Sequence, residues 1–79
     1  MDVKYNIGAR IKYLREQVSM SQKDLSYSAD LDRSYIASVE SGARNISIVN
    51  IEKIANALNV SLKTFFNATE FDNDTKCNR

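Results

Sequence analysis

At 79 residues the chain has room for one domain, and its 43% hydrophobic and 27% charged residues are ordinary for a globular protein. With no proline and only two glycines, Gly8 and Gly42, it lacks the turn residues that an all-β sandwich or barrel needs. Histidine is absent and Cys77 is the single cysteine, which excludes imidazole acid–base chemistry, a Ser–His or Cys–His nucleophile, a disulfide frame within the chain and a His/Cys metal site. The net charge of +1 excludes a strongly basic surface, so any nucleic-acid reading has to rest on the placement of particular residues.

The pattern is helical throughout. Ile7, Ile11, Leu14 and Val18 fall on one face of a first helix running from about Asn6 to Gln17. Ser21 starts a second helix. Asp24, three residues on, completes a capping-box-like pattern, and Met20 and Leu25 stand where a hydrophobic staple forms. Leu25 and Ala29 supply its buried face. Asp32 caps a third helix, with Leu31 and Ile36 as a second staple and Ile36 and Val39 inward. Gly42 is placed to end it in the left-handed conformation. Ser47 opens a fourth helix with the stripe Ile48, Ile51, Ile54, Ala55 and Leu58. Ser61 opens a short fifth one with Leu62, Phe65 and Phe66. The expected organisation is an all-α domain of five helices over residues 1–67, followed by a polar, flexible tail over 68–79.

Helices two and three meet across the short turn Asp30 to Asp32, the helix-turn-helix arrangement that presents its second helix outward. With Ile36 and Val39 inward, the third helix shows Ser34, Ala37, Ser38 and Ser41 on its opposite face. Exposed helix positions favour Lys, Glu, Gln and Arg, whereas a helix entering a groove ~12 Å wide favours small residues. Arg33 and Tyr35 flank this face. Arg can give two hydrogen bonds to guanine, and Tyr can pack on a thymine methyl or bond a phosphate. The alternative is a solvated helix whose small residues carry no message.

The stretch Ser21 to Glu40, SQKDLSYSADLDRSYIASVE, resembles the helix-turn-helix of the Cro/lambda-repressor-like (XRE) family. Gln22, Leu25, Ala29, Leu31, Ile36, Val39 and Glu40 stand where that family's pattern puts them. Leu31 to Ile36 followed by Arg44-Asn45-Ile46-Ser47 is similar to the controller proteins of restriction–modification systems. Two positions depart from the pattern, Asp30 for the usual Gly and Ser26 for the usual Ala.

The resemblance implies a lambda-repressor-like fold and a homodimeric, sequence-specific regulator of transcription that controls its own gene among others. It implies base reading by Arg33, Ser34, Tyr35, Ala37 and Ser38. Contacts to the DNA backbone fall to Gln22, Arg44 and Asn45. A structural ion pair joins Arg15 to Glu40, although Glu40 could also be read as an acceptor facing cytosine. The implied partners are double-stranded DNA with a palindromic operator, a second copy of the chain, and RNA polymerase as a further candidate; no small-molecule ligand, cofactor, metal or membrane is expected. Within the family, a phage- or plasmid-type repressor and an autoregulating antitoxin stay open. An interaction module that has lost DNA binding is the rival from another class, and an enzyme is not expected.

Two expectations follow from amphipathicity and size. The fourth and fifth helices carry more apolar surface than one small domain hides, so Val49, Leu62 and Phe66 are expected at a two-fold dimer interface. The chain has neither a signal-peptide core nor ~18 consecutive apolar residues, so the expected location is the cytoplasm.

Overall fold

The computed structural model describes residues 2–72, which form five α-helices and a closing 3-10 turn. In chain order these are α1 (Val3–Gln17), α2 (Gln22–Ala29), α3 (Arg33–Glu40), α4 (Ile48–Ala57), α5 (Leu62–Phe66) and the turn Thr69–Phe71. No strand occurs among the described residues. Cys77 and the rest of the expected tail beyond Asp72 lie outside them.

Local chemistry sets most of the boundaries. The hydroxyls of Ser21, Ser47 and Ser61 each accept from the backbone N–H three residues on, of Asp24, Asn50 and Thr64. Asp24 returns a bond from the Ser21 N–H at 3.1 Å, which closes the capping box. Asp32 departs from expectation. It stands at the N-cap of α3 but makes no capping bond, because its carboxylate receives the Ser34 hydroxyl. α1 begins three residues earlier than the periodicity suggests, since Asp2 caps it by accepting from the Tyr5 N–H.

Four helices close in the same way. Leu31 N donates to Ser26 O at 2.9 Å, Ala43 N to Ser38 O at 3.0 Å, Met20 N to Arg15 O at 3.0 Å and Val60 N to Ala55 O at 2.9 Å. These six-residue closures need a left-handed residue, and the chain supplies Ser19, Asp30, Gly42 and Asn59 with φ of 56°, 57°, 79° and 60°. Only one is glycine. Asp and Asn tolerate this region better than most side chains, which is how a glycine-poor chain turns so often.

The core joins Ile7 and Ile11 of α1, Leu25 and Ala29 of α2, Ile36 and Val39 of α3, Ile51, Ile54 and Ala55 of α4, Leu58 just after it, and Phe65 of α5. Two members of the expected stripes are exposed instead of packed on it. Val18 is exposed because α1 ends at Gln17 and the chain turns away. Ile48 is 63% exposed, because the first residue of α4 overhangs the edge of the bundle. Residues 69–71 also depart from the expected tail. Phe71 is half-buried, its ring 5.1 Å from Phe66 and 6.5 Å from Phe65, and Asn6 Nδ2 donates to Glu70 O at 3.0 Å. A lone Phe in a polar stretch gives no periodic signal, yet it caps the end of the core and extends the packed body past residue 67.

Gly8 fixes how α1 meets α3. A Cβ at this position would lie 2.3 Å from the Val39 carbonyl oxygen and 2.6 Å from that of Glu40. The absent side chain lets α1 lie against the C-terminal turn of α3, so the outward helix is braced from behind.

Candidate nucleic-acid interface

α2 and α3 are joined by the left-handed Asp30 and by Leu31, whose half-buried side chain packs on the core. This connection buries Ile36 and Val39 and turns the other side of α3 to solvent. Arg33 and Ser34 are exposed at its first turn, whereas Ala37 and Ser38 are half-buried further along. Arg33 occupies the first helical position, at the positive end of the helix dipole. A cation there costs rather than contributes stability, by ~0.3–1 kcal/mol, so the fold gives no reason for it.

The two serines are less free than a list of small residues suggests. The Ser34 hydroxyl donates to the Asp32 carboxylate. The Ser38 hydroxyl donates to Ser34 O at 2.8 Å and approaches Tyr35 O at 3.2 Å. Both oxygens keep lone pairs, so each can accept a hydrogen bond from outside. Tyr35 is half-buried. Its hydroxyl accepts from Asn50 Nδ2 of α4 at 3.0 Å, and the Arg44 guanidinium stands 5.4 Å from its ring centroid. That contact brings the cation of the α3–α4 loop beside the outward face of α3. Arg44 and Asn45 are both exposed.

The opposite end of α3 is clamped. Arg15 Nε donates to Glu40 Oε2 at 2.7 Å and Arg15 Nη2 to Glu40 Oε1 at 3.0 Å, a bidentate pair with side chains 11% and 4% exposed. Arg15 Nη1 also donates to Met20 O at 2.8 Å, and Gln22 Nε2 donates to Glu40 Oε1 at 3.1 Å. The hydrogen bond to Glu40 raises the Arg15 pKa further, so the guanidinium stays charged at any working pH. Glu40 faces the interior rather than the outward face, which removes the reading of it as a partner for cytosine. Gln22 supports α3 from α2 through the same carboxylate.

Val49 is 59% exposed on α4, beside the exposed Ile48. Leu62 and Phe66 are half-buried, with Phe66 packed edge-on to Phe65 at a centroid distance of 5.0 Å. Phe65 fills the core.

A helix-turn-helix family profile matches residues 11–65. The control protein C.MunI of Mycoplasma sp is 41% identical over 70 residues, covering 87% of this chain and 95% of its own. The chain belongs to the helix-turn-helix family, among the restriction–modification controller proteins. The crystal structure of the controller protein C.AhdI from Aeromonas hydrophila matches with a TM-score of 0.79 at 39% identity, over 84% of this chain and all of that one. The controller C.Esp1396I, seen as a tetramer on its natural 35-base-pair operator, matches with a TM-score of 0.76 at 39% identity over 78% of this chain and 82% of its own.

Two residues of this controller's framework were not visible in its sequence. Arg10 donates from Nε to Phe65 O and from Nη2 to Thr64 O, both at 2.8 Å, so it satisfies the carbonyls at the end of α5. Asn50 reaches Tyr35 across fifteen positions. Neither has a local pattern; both depend on where another helix lies.

Proposed function

We propose that the protein is a homodimeric, sequence-specific DNA-binding regulator of transcription that controls restriction–modification genes, its own included. The observation that carries this is Arg33: an exposed cation at the first turn of a helix clamped at its far end, where the helix dipole disfavours a positive charge. Arg33, Ser34 and Tyr35 read base edges at the leading turn, with Ala37 and Ser38 bounding how deeply α3 enters the major groove. Arg44, Asn45 and Gln22 meet the sugar–phosphate backbone and set the register. The relative C.Esp1396I binds its operator as a tetramer, which supports a two-fold arrangement on DNA.

The dimer is formed by Val49, Leu62 and Phe66 with the neighbouring Ile48, and it sets two α3 helices about one DNA turn, ~34 Å, apart on a palindromic operator. The protein works in the cytoplasm, without a cofactor or catalytic step, and RNA polymerase is the partner through which a bound dimer raises transcription.

The test starts from a duplex selected out of a random library by the wild-type protein. Arg33→Ala should weaken binding to that duplex by ~1–3 kcal/mol and leave a scrambled duplex nearly unaffected. Arg44→Ala should weaken both alike and lower the salt slope. Equal losses on both duplexes for Arg33→Ala would remove Arg33 from base reading. Val49→Glu, on an exposed side chain, should move sedimentation toward monomer without lowering the monomer's helix content.

A further inference from the structure

We infer that Asn50, on α4 and outside the helix-turn-helix, is a positioning residue for Tyr35: it occupies the acceptor side of the phenol, so that the hydroxyl meets DNA as a proton donor. This inference rests on the DNA-binding reading above and adds which chemistry one of its side chains presents.

The geometry supplies each step. Asn50 is the third residue of α4, and its backbone N–H is held by the Ser47 hydroxyl at 3.1 Å, so the cap that starts the helix also fixes this side chain's origin. Its Nδ2 donates to the Tyr35 hydroxyl oxygen at 3.0 Å. The ring is held on one side by the core, against which Tyr35 packs, and Arg44 stands over it at 5.4 Å. Ring and hydroxyl are thus placed before any ligand arrives, which lowers the entropy lost on binding.

A phenol in water can donate or accept. Tyr35 with a lone pair already engaged by an amide N–H has its proton as the free end, and accepting one hydrogen bond polarises the O–H toward giving another. Such a group favours acceptors on the base edges: guanine O6 or N7, thymine O4, adenine N7. It disfavours the amino groups of cytosine and adenine, which need an acceptor. Ser34 and Ser38 have the opposite commitment, since their protons are taken within the chain and what remains to each oxygen is to accept. The leading face of α3 thus carries a donor and acceptors assigned in advance.

The experiment is a double-mutant cycle in binding, with full-length protein and the selected and scrambled duplexes. Asn50→Ala should weaken binding to the selected duplex by roughly three- to tenfold, the range of one hydrogen bond's net worth. Binding to the scrambled duplex should change less than twofold. In the Tyr35→Phe background the same substitution should have no further effect. Asn50→Asp, nearly isosteric but unable to donate, would draw the phenol proton inward and should cost more than Asn50→Ala; its added charge is measured separately in the Tyr35→Phe background. Equal effects of Asn50→Ala with and without the Tyr35 hydroxyl would overturn the inference while leaving the DNA-binding reading intact. A wild-type protein that selects no duplex would overturn both.

Discussion

The two ends of α3 are built on opposite principles. At the C-terminal end, the nearly enclosed Glu40 side chain receives three hydrogen bonds from Arg15 and Gln22, and the helix of Gly8 lies directly against the backbone. At the N-terminal end, Arg33 and Ser34 are exposed, and the expected capping bond from Asp32 is not made. A helix eight residues long cannot hold a fixed direction by its own hydrogen bonds, since short helices are marginal in water. Fixing one end in the interior leaves the other free to carry the residues proposed above to read bases.

The largest effect should come from unbalancing the clamp. Arg15→Met or Glu40→Gln leaves a largely enclosed charge without its charged partner and should cost roughly 3 kcal/mol, the low end of the range for a fully buried pair, read as a fall of several degrees in melting temperature. The double substitution should recover part of the loss, because neither charge is then stranded. Additive losses in that cycle would mean that the pair does not couple the two helices.

Gly8→Ala tests the same end by shape. The new methyl meets two backbone carbonyl oxygens, which cannot swing aside as a side chain can, so α1 and α3 must separate. A loss of about 3 kcal/mol is expected, despite the ~1 kcal/mol that alanine gains in helix propensity. Unchanged melting would show that the crossing is loose and the contrast between the two ends weaker than described.

The free end should respond differently. Asp30 sits at φ 57° in the turn that launches α3. Asp30→Gly relieves the left-handed strain, offset by greater freedom of the unfolded chain, and should change stability by less than about 1 kcal/mol. It also removes a negative charge near the proposed DNA-reading face, so binding to any duplex should tighten, most at low salt. A large loss of stability would show that Asp30 holds this end through contacts of its own.

The smallest effect is set by pH at the start of α2. The Ser21 backbone N–H, and then its hydroxyl, hold the Asp24 carboxyl below its ordinary range. A depressed carboxylate contributes stability above its unfolded pKa, near 3.9, and that contribution is lost as the pH falls through the lower folded value. The melting difference between wild type and Asp24→Asn should therefore be small but present at neutral pH, and vanish in acid. A difference that persisted in acid would assign it to something other than the charge.

What the sequence settles here is whatever depends on neighbours a few residues apart. Ser21, Ser47 and Ser61 cap the next N–H groups along, and Gly42 takes the left-handed turn, because these interactions close within one turn of chain. The stripes of α2 and α3 likewise place Leu25, Ala29, Ile36 and Val39 inward. The ion pair of Arg15 and Glu40 was expected only through family resemblance, since twenty-five positions separate the two side chains. Tertiary structure alone decided that Ile48 overhangs the bundle, that Phe71 returns to the core, that Arg10 ends α5 and that Asn50 holds Tyr35. Each of these depends on the distance and crossing angle between helices. Those are set by the summed packing of the whole core, and no periodicity within one helix encodes them.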